Sequence, residues 1–361
     1  MLHEPLTLPS GLVLPNRIAL APMTNLQSLP DGSLGDDELA FLACRADGGF
    51  GFVETCAAYV ALDGKAWDGQ LGFDRDALLP GLERLAARIK RAGGAAIAQL
   101  FHGGVRATQR LTGEQVWSAS TWTEDGKAFE VPRVGTIADI ERVIVQFSDA
   151  AVRAERAGFD GIELHAAHGY LLSQFLSATM NPRTDGWGGD LDGRARLVRE
   201  VLAACRQRTR ADFTIGVRLS LEDYGHARGM DLDDNIEVAR QRSIDGADFI
   251  HVSLWDAAAM TKKRPDEHAI PLVRKALHEQ CAVFTAGSVW TPAEASSLLE
   301  RGADVVALGR AAILNPAWPQ HAREPGWEPV RPPMTRAALL ERAVSPVFAQ
   351  YLSRWKNFVA D

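Results

Sequence analysis

Two histidines and a tyrosine lie close together in the segment HAAHGY, as His165, His168 and Tyr170. Two imidazoles at this spacing could bind a metal ion, could pack as a structural pair, or could donate two hydrogen bonds to one substrate oxygen. A metal site would need further ligands, for which Glu54, Glu163 and His102 are candidates. We favour the donor pair once the neighbouring residues are considered, and we keep the metal site as an alternative.

Eight short apolar runs, rich in Val and Ile, alternate with amphipathic segments and would position these residues. Such runs are typical of buried parallel strands, and apolar spacings of three and four residues, as in Ile140–Ala157 and Arg194–Arg208, are typical of helices. The pattern predicts an α/β protein with a (β/α)₈ TIM barrel, as a single domain over residues 1–361. The eight predicted strand runs are Arg17–Met23, Gly51–Val60, Gly94–His102, Gly158–Ala166, Phe213–Ser220, Ala247–Leu254, Cys281–Val289 and Ala303–Arg310.

Segments outside these runs complete the predicted barrel, which spans about residues 17–320. Leu6–Pro15 alternates around a Ser-Gly turn and predicts an N-terminal hairpin that closes the barrel bottom. The C-terminal extension, about residues 321–361, carries a helical pattern over Thr335–Val359. The stretch Thr108–Gly135 is too long for a simple connection and predicts an excursion over the barrel mouth. Its aromatic residues, which either cap the pocket or pack, are Trp117, Trp122 and Phe129.

Composition excludes several classes of protein. The 361 residues carry 46 acidic and 39 basic side chains, for a net charge of −7, with no basic block that could follow a nucleic-acid backbone. No apolar run approaches membrane-spanning length and the N-terminus does not resemble a signal peptide, so we expect a cytoplasmic protein. The scattered cysteines predict reduced, buried thiols rather than disulfides, zinc ligands or an iron–sulfur cluster. They are Cys44, Cys56, Cys205 and Cys281.

Glycine-containing segments follow the last two predicted strands. Active sites of (β/α)₈ barrels lie at the C-terminal ends of the strands, and the loops after strands seven and eight often hold a phosphate. Gly287-Ser288 and Gly309-Arg310 occupy these loops, where glycine allows close approach of the backbone and Arg310 could pair with phosphate. The alternative is that the glycines are ordinary turn residues and Arg310 is a solvated charge.

The run from Gly158 to Arg196, GFDGIELHAAHGYLLSQFLSATMNPRTDGWGGDLDGRAR, closely resembles the characteristic stretch of the old yellow enzyme family of FMN-dependent ene-reductases. The resemblance extends in the same order over roughly residues 3–320. It is carried elsewhere by Asn16-Arg17-Ile18, Ala21-Pro22-Met23-Thr24, Gln99-Leu100, Val217-Arg218-Leu219-Ser220 and Leu308-Gly309-Arg310-Ala311.

The resemblance implies non-covalently bound FMN, with NAD(P)H as its reductant. Thr24 would lie near the flavin O4 edge, Gln99 would hydrogen-bond the pyrimidine edge, and Arg218 would face N1 and O2, where a cation stabilises the reduced anion. Thr55 would pack beside the ring, and the two glycine loops would hold the ribityl phosphate. The implied cofactor-binding residues are Ala21, Pro22, Met23, Thr24, Thr55, Gln99, Arg218, Gly287, Ser288, Gly309 and Arg310.

The same resemblance implies the substrate chemistry. His165 and His168 would donate hydrogen bonds to the carbonyl or nitro oxygen of an enone, enal, maleimide or nitroalkene, and Tyr170 would protonate the α-carbon after hydride reaches the β-carbon. A dehydrogenase or demethylase on the same flavin barrel is the first alternative. A metal-dependent barrel lyase or hydrolase with His165 and His168 as ligands, and a flavin-binding protein without activity, are more distant ones.

The chain departs from the family pattern at several positions. Trp187 and Gly193 stand where relatives often have Tyr and Asn. Thr24 and Leu26 replace the Cys and Tyr of the short bacterial branch, so the tyrosine contact to substrate at position 26 is absent. The tail beyond Arg323 does not resemble the arginine-bearing terminus that some relatives insert into a neighbouring subunit, which leaves a homo-oligomer open.

Overall fold

The computed structural model describes residues 1–123 and 130–360, and a closed barrel of eight parallel strands lies at its centre. Each strand pairs with the next, and the eighth pairs with the first. Every predicted apolar run contains one barrel strand, which confirms the (β/α)₈ barrel. The strands are β1 (Ile18–Leu20), β2 (Phe52–Glu54), β3 (Ala95–Phe101), β4 (Gly161–Ala166), β5 (Thr214–Leu219), β6 (Phe249–Ser253), β7 (Ala282–Ala286) and β8 (Val305–Leu308).

The second predicted run, Gly51–Val60, is not one continuous strand. Its barrel strand ends at Glu54, and a separate short strand, Ala58–Tyr59, pairs further along with Leu100 and Phe101 of β3. The two strands are both fully buried, so an apolar run does not show where the chain bends between them.

Helices surround the barrel and connect its strands. The helix predicted over Ile140–Ala157 begins earlier, because Thr136 and Asp139 form a capping box whose polar residues lie outside the apolar periodicity. The helix predicted from Arg194 likewise begins after the capping residue Asp190. The helices are α1 (Asp36–Asp47), α2 (Leu79–Arg91), α3 (Gln109–Thr112), α4 (Ile137–Arg156), α5 (Leu171–Leu176), α6 (Leu191–Arg208), α7 (Leu232–Ile244), α8 (Ala269–Ala276), α9 (Pro292–Glu300), α10 (Arg310–Leu314), α11 (Trp318–His321), α12 (Arg336–Leu340) and α13 (Pro346–Leu352).

The C-terminal extension contains two short helices rather than one. The helical pattern predicted over Thr335–Val359 is divided between these two helices. Pro346 cannot continue a helix from the preceding turn and instead begins α13, with the side chain of Ser345 accepting a hydrogen bond from the Phe348 backbone N–H. Met334-Thr335 pairs with Val359-Ala360 and encloses both helices.

The N-terminal hairpin closes the bottom of the barrel, as predicted. Leu6-Thr7 pairs antiparallel with Val13-Leu14, and the hydroxyls of Ser10 and Thr214 are 2.7 Å apart at the start of β5. Leu8 and Leu14 pack into an apolar cluster with the inward-facing residues at the beginnings of the strands. The hairpin therefore buries the end of the barrel opposite the predicted site.

The predicted excursion over the barrel mouth is described except for residues 124–129. Trp117 is buried and its indole N–H donates at 3.0 Å to Asp63, which follows the short strand Ala58–Tyr59, so it packs against that segment. Trp122 is partly exposed, and Phe129 lies outside the described residues. The four cysteines are free thiols, and Cys56, Cys205 and Cys281 are buried. No helix in the described part of the chain is long and apolar enough to cross a membrane.

Candidate active site

A cavity of about 430 Å³ opens at the C-terminal ends of the barrel strands. Its volume lies in the range of about 300–1,000 Å³ that is usual for cofactor and ligand sites. Nine of the eleven predicted cofactor-binding residues line it. These nine are Ala21, Pro22, Met23, Thr24, Arg218, Gly287, Ser288, Gly309 and Arg310.

The other two predicted cofactor residues, Thr55 and Gln99, are buried beside the cavity rather than in its lining. The Thr55 hydroxyl accepts a hydrogen bond from the Gln99 backbone N–H at 3.1 Å, which ties the end of β2 to β3. The Gln99 side-chain amide donates to Glu163 at 2.6 Å. Its second amide hydrogen and its carbonyl oxygen are the groups that it can still offer to a ligand.

The loops after β7 and β8 meet at one end of the cavity. The Arg310 guanidinium donates to the Ser288 hydroxyl, so a cation and a hydroxyl are joined there. Ser288 has a left-handed φ of 53°, and a Cβ on Gly287 would come within 2.8 Å of the Ala257 nitrogen and the Leu254 oxygen. Only glycine fits at position 287 without displacing backbone, because the segment after β6, which contains Leu254 and Ala257, approaches it closely.

Arg218 on β5 faces the cavity with unused hydrogen-bonding capacity. It is 6% exposed, and its Nη2 donates to the Ser253 hydroxyl at 3.1 Å. Its buried Nε–H has no hydrogen-bond partner among the described residues. A buried donor left unpaired is costly, which suits an acceptor supplied by a bound anion or flavin edge.

Ser253 is a site residue that the sequence analysis missed. It ends β6 and lies 2.7 Å from His168 Nε2, so that its hydroxyl joins Arg218 to His168. It could have been predicted from its position near the end of the predicted run Ala247–Leu254, because polar residues at the strand ends of such a barrel face the site.

His165, His168 and Tyr170 come together at the end of β4. The His165 ring centroid is 5.0 Å from that of His168 and 5.0 Å from that of Tyr170. The Tyr170 ring packs edge-on against Phe101, with centroids 4.4 Å apart. His168 has a left-handed φ of 61°, which turns the chain directly after the strand. The three side chains thus form one cluster. None of them is in the lining of the cavity, but Ser253, which does line it, lies 2.7 Å from His168 and joins the cluster to Arg218.

Burial keeps this cluster uncharged at neutral pH. Burial, His168 and Arg218 lower the pKa of His165 well below its usual value, and burial and Arg218 do the same to the pKa of His168. Burial raises the pKa of Tyr170 to about 12. The Ala167 backbone N–H donates to His165 Nδ1 at 3.3 Å, so the single proton of the neutral ring lies on Nε2. Ser253 accepts from Arg218, and when it donates its own hydroxyl proton to His168 Nε2, the proton of His168 lies on Nδ1. The cluster then offers two neutral N–H donors and a phenol that keeps its proton.

A second cluster lies deeper in the barrel, and it adds His251, which the sequence analysis did not name, to Glu54, Glu163 and Gln99. Glu163 accepts hydrogen bonds from Gln99 at 2.6 Å and from His251 Nδ1 at 2.6 Å. Burial and the neighbouring Glu163 raise the pKa of Glu54 well above its usual value. Burial opposes ionisation of Glu163 too, but His251 and Arg218 outweigh it and lower the pKa of that carboxyl. These opposite pKa shifts make Glu163 the carboxyl whose negative charge balances the Arg218 cation.

The structure does not support a metal site at His165 and His168, because side chains proposed as further ligands are engaged with other residues. His102 faces Asp63, with Nε2 3.5 Å from Oδ1, and Glu163 is bonded to His251. Among the described residues, the groups close enough to share an ion are Glu54, Glu163 and His251, which lie within 4.8 Å of one another. Neither His165 nor His168 belongs to that set.

The family departures near α6 have local packing explanations. Trp187 is 5% exposed and the Arg196 guanidinium lies 4.1 Å from its ring centroid. A Cβ on Gly193 would come within 2.2 Å of the Gly188 carbonyl oxygen, so the first turn of α6 leaves no room for a side chain there. These residues shape the loop after the histidine pair without entering the cavity lining.

Comparison with known proteins places this chain in a family. A sequence model of the NADH:flavin oxidoreductase / NADH oxidase family matches residues 1–325. The chain is 33% identical to a probable NADH-dependent flavin oxidoreductase, YqiG, of Bacillus subtilis over 90% of this chain and 88% of that protein. It is 32% identical to an NADPH dehydrogenase of a Geobacillus species, over 89% and 93% of the two chains.

A solved structure of an old yellow enzyme homologue from Zymomonas mobilis superposes with a TM-score of 0.81 and 26% identity, covering 91% of this chain and 93% of that one. The unpaired Arg218 donor and the joined Arg310 and Ser288 fit the two polar ends of a flavin nucleotide. The chain thus belongs to the NADH:flavin oxidoreductase / NADH oxidase family, as an NAD(P)H-dependent flavin oxidoreductase of the old yellow enzyme type whose cofactor is FMN.

Proposed function

We propose that this enzyme is an ene-reductase that reduces the C=C bond of enones, enals, maleimides or nitroalkenes at the expense of NAD(P)H. The observation that carries the proposal is the neutral cluster of His165, His168 and Tyr170 beside the cavity. Two neutral imidazoles and a protonated phenol are the groups that polarisation of a carbonyl or nitro oxygen, followed by protonation of carbon, requires.

FMN is assigned to the cavity of about 430 Å³. When bound, it takes hydride from NAD(P)H and delivers hydride to the β-carbon of the alkene. Arg218 would pair with its pyrimidine edge, near Gln99 and Thr55, and the loops after β7 and β8 would hold its phosphate. The residues that would contact it are Ala21, Pro22, Met23, Thr24, Thr55, Gln99, Arg218, Gly287, Ser288, Gly309 and Arg310.

His165 and His168 would hold the activating oxygen of the substrate. Because the Ala167 N–H fixes the proton of His165 on Nε2, that nitrogen is a donor before substrate arrives. The Ser253 hydroxyl holds the ring of His168 in turn. Donors that are already oriented in a water-poor site stabilise developing negative charge strongly, and removing one typically costs about 10²–10³ in rate.

Tyr170 would protonate the α-carbon. Its raised pKa, about 12, means that the phenol carries its proton at neutral pH. Phe101 packs against one edge of the ring, and the Trp67 ring lies 5.3 Å from Phe101, so the phenol is held by an apolar wall. This wall restricts the ring to the position from which the proton is delivered.

The test uses the purified FMN-loaded enzyme under anaerobic conditions. After reduction by NADPH or NADH, N-methylmaleimide or 2-cyclohexenone should reoxidise the flavin. Tyr170→Phe should slow this half-reaction and leave reduction by NADPH largely intact, while His165→Ala should weaken phenol binding to the oxidised enzyme. Failure of every activated alkene to reoxidise the flavin would overturn the proposed function, and equal losses in both half-reactions would contradict the role of Tyr170.

A further inference from the structure

Arg106 belongs to a short helical turn shortly after β3, and this turn packs against the one that carries Tyr170. The Val105 backbone N–H donates to the side-chain oxygen of Gln174 at 3.2 Å, and the Gln174 side-chain amide donates to the Gly169 carbonyl at 2.8 Å. Gln174 is fully buried, so these bonds are shielded from bulk water. The two turns are therefore held in a fixed relation, with Arg106 on one and Tyr170 on the other.

The Arg106 guanidinium is buried beside the phenol of Tyr170. Arg106 is 8% exposed, and its central guanidinium carbon lies 6.0 Å from the centroid of the Tyr170 ring. Its Nε–H donates to the Gly169 carbonyl at 3.1 Å, and its Nη2 donates to the His226 carbonyl at 3.3 Å. These acceptors orient the guanidinium without neutralising it, because a carbonyl oxygen carries no net charge. A cation is thus held at a fixed place next to the proposed proton donor.

A buried phenol needs such a cation if it is to give up its proton. Burial raises the pKa of Tyr170 to about 12, the Arg106 guanidinium opposes that rise, and a negative charge on Tyr351 would add to it. Proton transfer to carbon leaves a phenolate, and an anion in a buried site is costly unless a positive charge lies close to it. The burial that keeps the proton on Tyr170 at rest therefore also slows its departure, and Arg106 opposes this second effect.

We propose that Arg106 is a positioning residue that speeds proton transfer from Tyr170 by stabilising the phenolate that this transfer leaves. This inference rests on the proposed ene-reductase function. After hydride has reached the β-carbon, the electron pair of the substrate enolate forms the new C–H bond at the α-carbon with the Tyr170 proton. The O–H bond of Tyr170 breaks, its electron pair stays on the phenolate oxygen beside Arg106, and water returns a proton to that oxygen before the next cycle.

The test compares an enone with a nitroalkene in the FMN-loaded enzyme and its Arg106→Gln variant, by anaerobic stopped-flow measurement of flavin reoxidation. With 2-cyclohexenone the rate constant should fall by about tenfold, because a partial negative charge loses a nearby cation. The solvent deuterium isotope effect should increase, since transfer of the phenolic proton then limits the rate. With 1-nitrocyclohexene the rate constant should change by less than about twofold, because a nitronate is stable enough to leave and take its proton from water.

Two further variants separate the charge of Arg106 from its packing. Arg106→Lys keeps the positive charge and should recover part of the lost enone rate. Arg183→Gln is the matched control, because the Arg183 guanidinium lies 5.9 Å from the Phe175 ring centroid and donates to the Gly135 carbonyl at 2.6 Å. Phe175 has no proton to transfer, so removing this second guanidinium should leave the rates with both alkenes close to those of the unmodified enzyme.

Combining Arg106→Gln with Tyr170→Phe distinguishes this role from a structural one, and Arg106→Met replaces the glutamine variant if the latter does not fold. Without a phenol there is no phenolate to stabilise, so the second substitution should cause no further loss with 2-cyclohexenone, whereas a structural role would add a loss of its own. Equal losses with the two alkenes, no loss with either, or a further loss in the Tyr170→Phe background would overturn the inference while leaving ene reduction intact. If the unmodified enzyme reduces neither alkene, the proposed function fails and this inference fails with it.

Discussion

The two ends of the barrel interior are built from the same strands but have opposite chemistry. On β2, Phe52 and Glu54 are two residues apart, and on β6, Phe249 and His251 are two residues apart. Since side chains on a strand alternate, each pair points to the same side, separated by about 6–7 Å along the strand. Within that distance, the interior changes from a cluster of phenylalanines to a cluster of ionisable groups.

The phenylalanine layer is stabilised by the fit between its rings. The rings of Phe249 and Phe284 are stacked with centroids 4.3 Å apart, and Phe52 meets both edge-on. A Cβ on Gly216 would come within 2.1 Å of the Phe249 ring, so the glycine makes room for it. Such a layer stabilises the fold through burial alone.

The polar layer, in contrast, is stabilised by hydrogen bonds that depend on which of its groups carry protons. Glu163 accepts from Gln99 and His251, Glu54 retains its proton, and Arg218 keeps one N–H unpaired. Stability and chemistry are thus divided along the strands, with the hairpin end supporting the fold and the C-terminal end holding the site. Substitutions in the two layers should therefore be detected by different assays, by unfolding for the phenylalanine layer and by flavin chemistry for the site.

Phe249→Ala should have the largest effect on stability. Removing a buried ring from the bottom layer leaves a cavity and should lower the free energy of unfolding by about 3–5 kcal/mol. Urea denaturation followed by far-UV circular dichroism measures it, with Phe249→Leu as the control that should lose less. Flavin binding and alkene reduction by the folded variant should be nearly unchanged, and a large loss of turnover at full folding would break the division between the layers.

His165→Ala tests the C-terminal end of the strands, where the site lies. The rate constant for flavin reoxidation by an activated alkene should fall by about 10²–10³, because one donor to the substrate oxygen is lost. Stopped-flow measurements report this step separately from reduction by NADPH. His165→Asn is the matched variant, since its amide can still donate and should recover part of the rate. If the asparagine variant were no better than the alanine variant, hydrogen-bond donation would not be the role of this side chain.

The two buried carboxyls should respond differently to the same change. Glu163→Gln replaces an anion that accepts from Gln99 and His251 with an amide that has one acceptor, and it should lower the free energy of unfolding by about 1–3 kcal/mol. Glu54→Gln substitutes a neutral group for a carboxyl that is already protonated and should change it by less than about 0.5 kcal/mol.

Chemical denaturation at pH 7 makes this comparison, and the midpoint potential of the bound flavin gives a second readout. Glu163→Gln removes the charge that balances Arg218, so the potential should rise in that variant and stay close to the original in Glu54→Gln. Equal stability losses in both variants would show that Glu54 is ionised in the folded protein, contrary to the proton assignment.

Sequence patterns predicted the strands because buried strands depend on local order, and they indicated the proposed site residues because these lie close together in the chain. Apolar runs mark the buried strands, and His165, His168 and Tyr170 lie within six residues of one another. The polar layer could not be predicted in this way, because Glu54 and His251 belong to strands that are not neighbours and meet only when the barrel closes with a particular register. Side chains of the C-terminal extension line the cavity only because of how the extension docks on the barrel, which local periodicity does not determine.

The smallest expected effect is the dependence of stability on pH, and it sharpens the contrast between the layers. The pKa values of His165, His168 and His251 are lowered in the folded protein, chiefly by burial, so these rings stay neutral where the unfolded chain binds protons. Their contribution is present above the ordinary histidine pKa of about 6.5 and is lost as the pH falls through it. The free energy of unfolding should therefore decline between pH 7 and pH 5.5.

His168→Asn removes one of these rings and should make the decline shallower, by less than about 1 kcal/mol between pH 7 and pH 6. Phe249→Leu lowers the whole curve without changing its slope, because no titrating group is altered in the bottom layer. Urea titrations at half-unit steps of pH would measure both slopes. An unchanged slope in His168→Asn would mean that this imidazole titrates normally in the folded protein, and the account of His168 as a neutral donor held by Ser253 would then fail.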